Sequence, residues 1–464
     1  MTLTENATAT TTDHVMSGRG ARRLPITDVG AYLNELPEDA RAGLRALGEL
    51  LVGVTARPAG AESADRFTAR CLGVADAGLL VDEDRELNPV SRLTTAVALA
   101  EWVTAHSEVV EIGPGERAQP PKWTQTEIGD RTYRHPQCLR VHFRAGTLLP
   151  DAGCVIGIET RQTAMRYPEV SAFVTPEHQD AVRAVLDRLG DRANELNPYR
   201  GRALRASYTH GLRLTVTDLP ITASRDTVVV DEQVWREIDL GLIAVRDRHE
   251  LLNTHGLGAR RGVLLCGPPG TGKSAVSAVI AAEVVGEFTV IYVDADAGEQ
   301  LLSAVVEEAQ RLGGPILLIL EDVDLWCRDR ATDGGGLSEL LQAMDIAAEA
   351  RILTLASTND PATLDRAAIR TGRFDAIVDI GYPTRADAAR ILAALLTGLP
   401  GAAGVDTHAV AAALPEHTSG SDLREIVRRA VLAADDTGLL TTSALLAEVG
   451  SGRYRATPTE GMYL

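Results

Sequence analysis

The stretch GVLLCGPPGTGKSAVSAVIAAEVV, residues 262–285, joins a short apolar run, a glycine-rich loop and an apolar helical pattern. Its centre, GPPGTGKS at 267–274, has the spacing G-x-x-x-x-G-K-S between a predicted strand and a predicted helix, which is the setting that a phosphate-binding loop requires. Glycines let backbone N–H groups converge on phosphates, and the helix adds its N-terminal partial charge. The sequence therefore predicts a nucleotide site, formed by Gly267, Pro268, Pro269, Gly270, Thr271, Gly272, Lys273, Ser274 and Ala275.

Within this loop, two side chains have predicted roles. Lys273 is expected to bridge the β- and γ-phosphates of ATP, and the hydroxyl of Ser274 is expected to hold Mg²⁺. ATP and Mg²⁺ are therefore the predicted cofactors.

Strands and helices alternate on both sides of the loop, a pattern typical of a parallel sheet covered by helices. The predicted strands are GVLLC, FTVIYVD, ILLIL, ILTLAS and AIVDIGY. After Pro383 the pattern becomes helical. We predict an α/β fold, a doubly wound five-stranded parallel sheet over residues 226–384, followed by a helical lid over residues 385–450.

The region before the predicted sheet differs in composition and in its pattern of helical and strand-like segments. Residues 1–22 are Thr-rich and are predicted to be a disordered tail, and residues 451–464 a second tail. Residues 23–200 mix helical and strand-like runs and are predicted to form a separate α+β domain of unknown role. Residues 201–225 are predicted to be a linker.

Composition narrows the function classes. The 464 residues contain 46 Lys plus Arg and 64 Asp plus Glu, a formal net charge of -18. The negative electrostatic potential that this charge produces disfavours nucleic acid and anionic membranes as partners. Five scattered cysteines do not indicate a disulfide framework, and no apolar run approaches the length of a membrane span. A cytoplasmic location without a membrane partner is predicted.

The apolar run ILLILEDVDLW, residues 316–326, ends in acidic residues. Glu321 and Asp322 are expected at the carboxyl end of a buried strand, where open α/β sheets bind ligands. One acid would hold Mg²⁺ and the other would polarise the attacking water. A further strand ends at Asn359, which is placed to sense a phosphate. Arg370 and Arg373 follow and are candidates to contact a neighbouring subunit's nucleotide.

Together, GPPGTGKS, LLILEDVD, STND and RTGRFD resemble the AAA branch of the AAA+ ATPases, and TSGSDL resembles the lid segment beside the adenine. The resemblance covers about residues 226–450. It implies a nucleotide-binding role for Gly420 and Ser421. It also implies that Glu321 takes the Mg²⁺-side position, Asp322 the catalytic acid position and Asn359 the sensor position. Arg370 and Arg373 would be fingers offered to the next subunit of a ring, usually of six subunits.

Two features depart from the usual AAA pattern. The acids occur as Glu then Asp, in place of Asp then Glu. The connector between residues 294 and 316 is too short for a gripping pore loop and holds no aromatic residue. Both departures resemble the mitochondrial cytochrome bc complex assembly chaperone branch, while the overall layout resembles uncharacterised actinobacterial and phage ATPases.

A weaker cluster lies in the N-terminal region. His135, Cys138, His142 and Cys154 lie within twenty residues and offer ligands for zinc, but their spacing does not match a usual tetrahedral pattern. Buried packing residues are the favoured interpretation of these four side chains.

These observations predict an ATPase that forms a ring and remodels or assembles a protein client bound through residues 23–200. The main alternative is an ATP-binding assembly switch with little turnover, which the Glu-then-Asp order motivates. A nucleic-acid motor is a further alternative that the net charge disfavours.

Overall fold

A computed structural model describes residues 62–161, 167–208, 211–219, 224–293, 299–324, 348–360, 374–434 and 439–455, together with the single residues 37, 40 and 43. These ranges belong to one compact unit, Glu62–Leu464. Its first part contains helices α1 (Ala64–Cys71), α2 (Ser91–Ala105) and α3 (Gln179–Glu195). The strands of this part are β1 (Val81–Glu86), β2 (Val110–Gly113), β3 (Lys122–Ile128), β4 (Arg131–Phe143), β5 (Cys154–Glu159) and β6 (Glu169–Val174).

These strands form an antiparallel sheet in the order β1-β6-β5-β4-β2, and β3 also pairs with β4. The long strand β4 pairs with β3 through residues 131–138 and with β2 through residues 140–143. Helices α2 and α3 pack against the sheet, where Leu99, Phe143, Ile156 and Leu186 share one core. This is the mixture of helices and strands that the sequence predicts.

The second sheet has seven strands in the order β13-β9-β12-β11-β10-β7-β8. They are β7 (Ala203–Tyr208), β8 (Leu212–Val216), β9 (Arg261–Cys266), β10 (Thr289–Val293), β11 (Ile316–Leu320), β12 (Ile352–Thr358) and β13 (Ala376–Asp379). Strands β9 to β13 lie at the predicted strands and pair in parallel.

The sheet has seven strands and not the predicted five, because part of the predicted linker also forms strands. Residues 203–208 and 212–216, within the predicted linker 201–225, form β7 and β8, and β7 pairs parallel to β10. Strand β8 then pairs antiparallel to β7 and alternates between buried and exposed residues at its start. Such short amphipathic strands lack the continuous apolar run that identifies a buried parallel strand, so the sequence suggested a connector.

Helices cover both faces of this sheet. Helices α4 (Glu232–Arg246), α5 (His249–Thr254), α6 (Lys273–Val284) and α7 (Glu299–Leu312) follow in chain order. Strand β11 is buried along its whole length. Its residues Ile316, Leu318 and Leu320 enter the core that contains α7. Leu317 and Ile319 enter the core that contains α4 and α6. This alternation follows from the two-residue period of a strand.

The two sheets are joined through α7. The core that contains α7 also includes Val90, Leu93 and Ile128 from the first part of the chain. Nδ2 of Asn88 donates a 2.6 Å hydrogen bond to Oε2 of Glu308 on α7. The separation of the N-terminal region from the seven-stranded sheet that the sequence predicts is therefore not confirmed.

Four helices end the described chain: α8 (Arg385–Leu396), α9 (Thr407–Ala413), α10 (Gly420–Ala433) and α11 (Thr442–Ser451). They share a core of their own, which includes Leu392, Val410, Ile426 and Leu445. These are the four helical segments predicted after Pro383. None of the helices in the described ranges combines the length and the apolar character needed to cross a bilayer.

Candidate nucleotide site

The loop between β9 and α6 approaches two other backbone segments closely. Gly267 has φ +148° and Gly270 has φ +77°, a conformation that other residues rarely adopt. A Cβ at Gly267 would lie 2.2 Å from the carbonyl oxygen of Ile380, and one at Gly270 would lie 2.1 Å from Oγ of Ser421. Any larger residue at either glycine would therefore disturb the loop.

Lys273 is the first residue of α6 and is only 6% exposed. Its Nζ donates hydrogen bonds to the carbonyl oxygens of Gly267 at 2.7 Å and Pro268 at 2.9 Å. Burial lowers the pKa of Lys273, and the carboxylates of Asp322 and Asp324 oppose this shift. The ammonium group thus lies inside the loop, and the hydroxyl of the next residue, Ser274, belongs to an exposed residue.

The acids after β11 do not all lie beside Lys273. Asp322 has φ +51°, which is uncommon for a residue other than glycine. The negative charges of Asp322 and Asp324 both raise the pKa of Lys273, against the effect of burial. Glu321 instead acts on Tyr292 of β10, whose pKa is raised to about 12 mainly by burial and further by Glu321. Asp322 and Asp324 are therefore the acids whose charge influences the lysine of the phosphate loop, and the Mg²⁺ role of Glu321 stays a prediction.

Asn359 holds these acids from the neighbouring strand. Its Nδ2 donates a 2.8 Å hydrogen bond to Oδ1 of Asp322. Its backbone N–H donates to Oδ1 of Asp324 at 3.1 Å, and Oγ1 of Thr358 donates to the same oxygen at 3.2 Å. The predicted sensor residue is thus fixed against the predicted catalytic acid, because β12 lies between β9 and β11 in the sheet.

Helix α10 begins beside the phosphate loop. The backbone N–H of Ser421 donates a 3.0 Å hydrogen bond to the carbonyl oxygen of Gly270. Ser419 caps the helix in a reciprocal arrangement with Asp422, whose carboxylate accepts a 2.8 Å bond from the Ser419 N–H. The helix N-terminus, with its partial positive charge, therefore brings Gly420 and Ser421 to the loop.

Arg370 and Arg373 lie outside the described residues. The short connector between β10 and β11 contains α7 over residues 299–312.

The structure does not bring together the four side chains that the sequence offers as weak zinc-ligand candidates and favours as buried packing residues. The ring nitrogens of His135 hydrogen-bond Oγ1 of Thr126 and the carbonyl oxygen of Pro136. Cys138 and Cys154 are each 1% exposed and belong to the protein interior. His142 lies instead near Cys71 and Glu111, which are distant from it in the sequence. The antiparallel pairing of β2 with β4 places Glu111 opposite His142.

Sequence reasoning also missed three residues of the site. Asp324 belongs to the quoted acidic run but was given no role, although it is 0% exposed and hydrogen-bonded. Oγ of Ser357 accepts a 3.3 Å bond from the backbone N–H of Asp322. Ser419 was detectable as a capping residue, because Ser with an acid three positions later before an apolar run indicates a helix start.

Residues 263–382 match the model of a family described as the ATPase family associated with various cellular activities (AAA). Among curated proteins, ATP-dependent zinc metalloprotease FtsH 1 of Conexibacter woesei is 33% identical over 272 residues, 53% of this chain and 39% of its own length. FtsH 4 of Sphaerobacter thermophilus is 35% identical over 199 residues, 39% of this chain and 30% of its own.

A third relative, FtsH of Rhodococcus erythropolis, is 32% identical over 253 residues, 50% of this chain and 28% of its own length. The chain thus spans well under half of each of these relatives. The family match covers the phosphate loop, the acidic strand end and Asn359. Residues 263–382 therefore form an AAA-type ATPase domain, and the predicted enzyme class, an ATPase, is confirmed.

Proposed function

We propose that this protein hydrolyses ATP as an oligomeric ring and uses the energy to remodel or assemble a protein client. The observation that carries the proposal is the convergence of Lys273, Asp322 and Asn359 at the carboxyl edge of the sheet. The 2.8 Å bond from Asn359 to Asp322 orients a carboxylate next to the phosphate loop. A site that only binds nucleotide has no need of such an oriented acid.

The residues of the loop fit a nucleoside triphosphate, since the loop has the glycines that such a turn requires and holds the Lys273 ammonium group inside it. Lys273 would bind the terminal phosphates, and Asp322 would orient the attacking water and accept its proton. Ser274 would hold Mg²⁺, together with Glu321 as predicted. The ion would neutralise charge on the phosphates. Asn359 would keep Asp322 in one orientation through successive turnovers.

The oligomer and the client are further parts of this proposal. Arg370 and Arg373 would complete a neighbouring subunit's site, which accounts for a closed ring. The client would bind through residues 23–200, and the ring would act in the cytoplasm. The relatives' names describe ATP-dependent zinc metalloproteases. Proteolysis is not included in our proposal, because these 464 residues hold no His-Glu-x-x-His motif; residues 249–253 read HELLN.

The second candidate is an ATP-binding assembly switch with negligible turnover. One observation favours it: the acid next to the loop is an Asp, one methylene shorter than Glu, and one of its oxygens is already bound by Asn359. In this case ATP would order the oligomer without being consumed.

A matched pair of variants tests the proposal. We expect Asp322→Asn to lower the ATPase rate by about 10²-fold or more while nucleotide binding is kept. Glu321→Gln should mainly raise the Mg²⁺ concentration needed for turnover, because Glu321 is proposed to hold the ion and Asp322 the attacking water. Normal turnover in Asp322→Asn would reject the proposed chemistry, and negligible turnover in the unmodified protein would establish the switch.

The same Asp322→Asn protein, held with ATP, serves as a trap for the client. Affinity purification in its presence should enrich a protein that the Lys273→Ala form, which cannot bind ATP, does not retain. Equal recovery with both forms would reject ATP-dependent client binding while leaving the ATPase assignment intact.

A further inference from the structure

We propose that Cys71, Glu111 and His142 form a binding site for a thiophilic divalent transition metal of the zinc class. One ligand atom from each residue lies within 4.8 Å of the ligand atoms of the other two. The three residues come from different elements: the end of α1, strand β2 and strand β4. The site is separate from the nucleotide site, and it shares only His142 with the four side chains considered in the sequence.

Sheet register brings two of the ligands together. Strands β2 and β4 are antiparallel, and Glu111 is the direct partner of His142. Side chains of directly opposed residues extend from the same face of a sheet with neighbouring Cβ atoms. Oε2 of Glu111 lies 4.0 Å from Sγ of Cys71. Only small side-chain movements would bring these atoms to the ligand spacings of a metal bound at about 2.0–2.3 Å.

Packing already holds α1 beside β2. Phe67 of α1 is 1% exposed and lies against Gly113, where a Cβ would be 2.4 Å from the ring. Nη1 of Arg140 on β4 also donates a 2.7 Å hydrogen bond to Oγ1 of Thr68. The helix that carries Cys71 is therefore fixed by contacts that do not involve the proposed ligands, so the three ligands are preorganised.

Arg70 acts as a positioning residue. Its Nη2 donates a 2.7 Å bond to Oε1 of Glu111, which leaves Oε2 on the Cys71 side. A hydrogen bond to the non-ligating oxygen is the usual support of a metal-binding carboxylate. Arg70 also pairs with Glu62 at 2.8 Å, so its charge is shared between two carboxylates.

The local charge suits a divalent cation. Glu62 and Glu111 carry two negative charges against the one positive charge of Arg70, and metal binding would convert the Cys71 thiol to a thiolate. Binding would thus release one proton and leave two net negative charges around the ion. The exposed Arg144 lies nearby and reduces this attraction somewhat. A thiolate with an imidazole selects zinc-class ions over Mg²⁺ or Ca²⁺, and three protein ligands leave one position for water or another ligand.

A redox role for this cysteine is less well supported. Burial and the neighbouring Glu111 raise the pKa of the Cys71 thiol to about 11. Without a metal the thiol would therefore hold its proton and react slowly.

Cobalt titration of the full chain tests the site. The protein is treated with a chelator, dialysed and titrated with Co²⁺, followed by competition with Zn²⁺. We expect a thiolate-to-cobalt charge-transfer band that saturates at one ion per chain and disappears when Zn²⁺ is added. The band should be lost in Cys71→Ser. Glu111→Gln and His142→Gln should each weaken Co²⁺ binding at least tenfold, and Arg70→Gln about tenfold with the band retained.

Cys154→Ala is the matched control, because it removes a buried thiol from the neighbouring strand and should leave the band unchanged. Folding of every variant is checked by near-ultraviolet circular dichroism and by nucleotide binding at the distant phosphate loop. Absence of a thiolate band in the unmodified protein would overturn the proposal. A band that persists in Cys71→Ser but disappears in Cys154→Ala would also overturn it.

Discussion

Nδ2 of Asn359 donates a 2.8 Å hydrogen bond to Oδ1 of Asp322 and so links the ends of two neighbouring parallel strands. The same residue holds Asp324 through its backbone N–H. Asp322 adopts φ +51°, a conformation that persists only where its surroundings stabilise it. Asn359 is therefore part of what fixes the direction of the Asp322 carboxylate.

Replacing Asn359 with Ala should lower the ATPase rate by about 10²-fold, because Asp322 would lose its orientation while the phosphate loop stays intact. Nucleotide affinity should change little. Steady-state ATPase assays and titration with a fluorescent ATP analogue separate the two effects. Asn253→Ala is the control, since Nδ2 of Asn253 donates to the carbonyl oxygen of Glu349 away from the loop. A rate close to that of the unmodified protein would exclude a role for Asn359 in turnover.

Lys273 and Lys122 are the two lysines of the chain, which gives a matched pair. Lys273→Ala should abolish ATP binding at concentrations that saturate the unmodified protein, because the ammonium group inside the loop is lost. Lys122 lies exposed on β3, and Lys122→Ala should leave binding unchanged. Calorimetric titration with ATP and Mg²⁺ measures both. Comparable affinities for the two variants would show that the loop does not use its lysine as proposed.

Variants at two helix-capping residues can distinguish an effect on protein stability from an effect on nucleotide binding. Ser419 caps α10 beside the phosphate loop, and Thr441 caps α11. Ser419→Ala and Thr441→Ala should each lower the free energy of unfolding by about 1 kcal/mol. Only Ser419→Ala should also weaken ATP binding, because α10 contacts the loop. Urea unfolding and ATP titration report the two quantities. Equal losses of affinity in both variants would mean that the four C-terminal helices act on the site only through overall stability.

Glu308 on α7 makes stability depend on pH. It is 4% exposed, and burial raises its pKa above the ordinary value of 4.5, while Asn88 opposes the shift. The folded protein therefore holds this proton more tightly than the unfolded chain. The contribution of Glu308 to stability is greatest below pH 4.5 and falls as the pH rises above that value toward and through the raised pKa.

Glu308→Gln keeps an oxygen that can accept the Asn88 bond but cannot ionise. Its free energy of unfolding should match that of the unmodified protein in acid and exceed it at neutral pH. Urea unfolding across this pH range measures the difference. Glu307→Gln, at an exposed neighbouring position that pairs with Arg311, is the control. Parallel pH curves for Glu308→Gln and the unmodified protein would contradict the prediction.

The parallel strands of the ATPase domain were predictable because each is a continuous apolar run. Strand β11, Ile316–Leu320, is buried throughout and could be recognised from its amino-acid sequence alone. Strands β7 and β8 were not recognised, because residues such as Arg205 and Arg213 interrupt their apolar pattern. The place of β7 depends on pairing with β10 and that of β8 on pairing with β7, which local sequence does not encode.

The site followed the same rule. Lys273 and Asn359 were predictable because each stands in a local motif at the end of a strand. The electrostatic influence of Glu321 on Tyr292 was not, since it depends on how β11 pairs with β10. The association of His142 with Cys71 and Glu111 was also hidden, because it arises from strand register across distant parts of the chain.

The bond from Asn88 to Glu308 and the core around α7 have a thermodynamic consequence. Helix α7 connects β10 to β11, and β11 leads directly to Asp322. If nucleotide binding moves α7, it changes the free energy of every conformation available to the first sheet. Linkage then requires reciprocity: a molecule bound to the first sheet must change the affinity for ATP by the same factor by which ATP changes its own affinity.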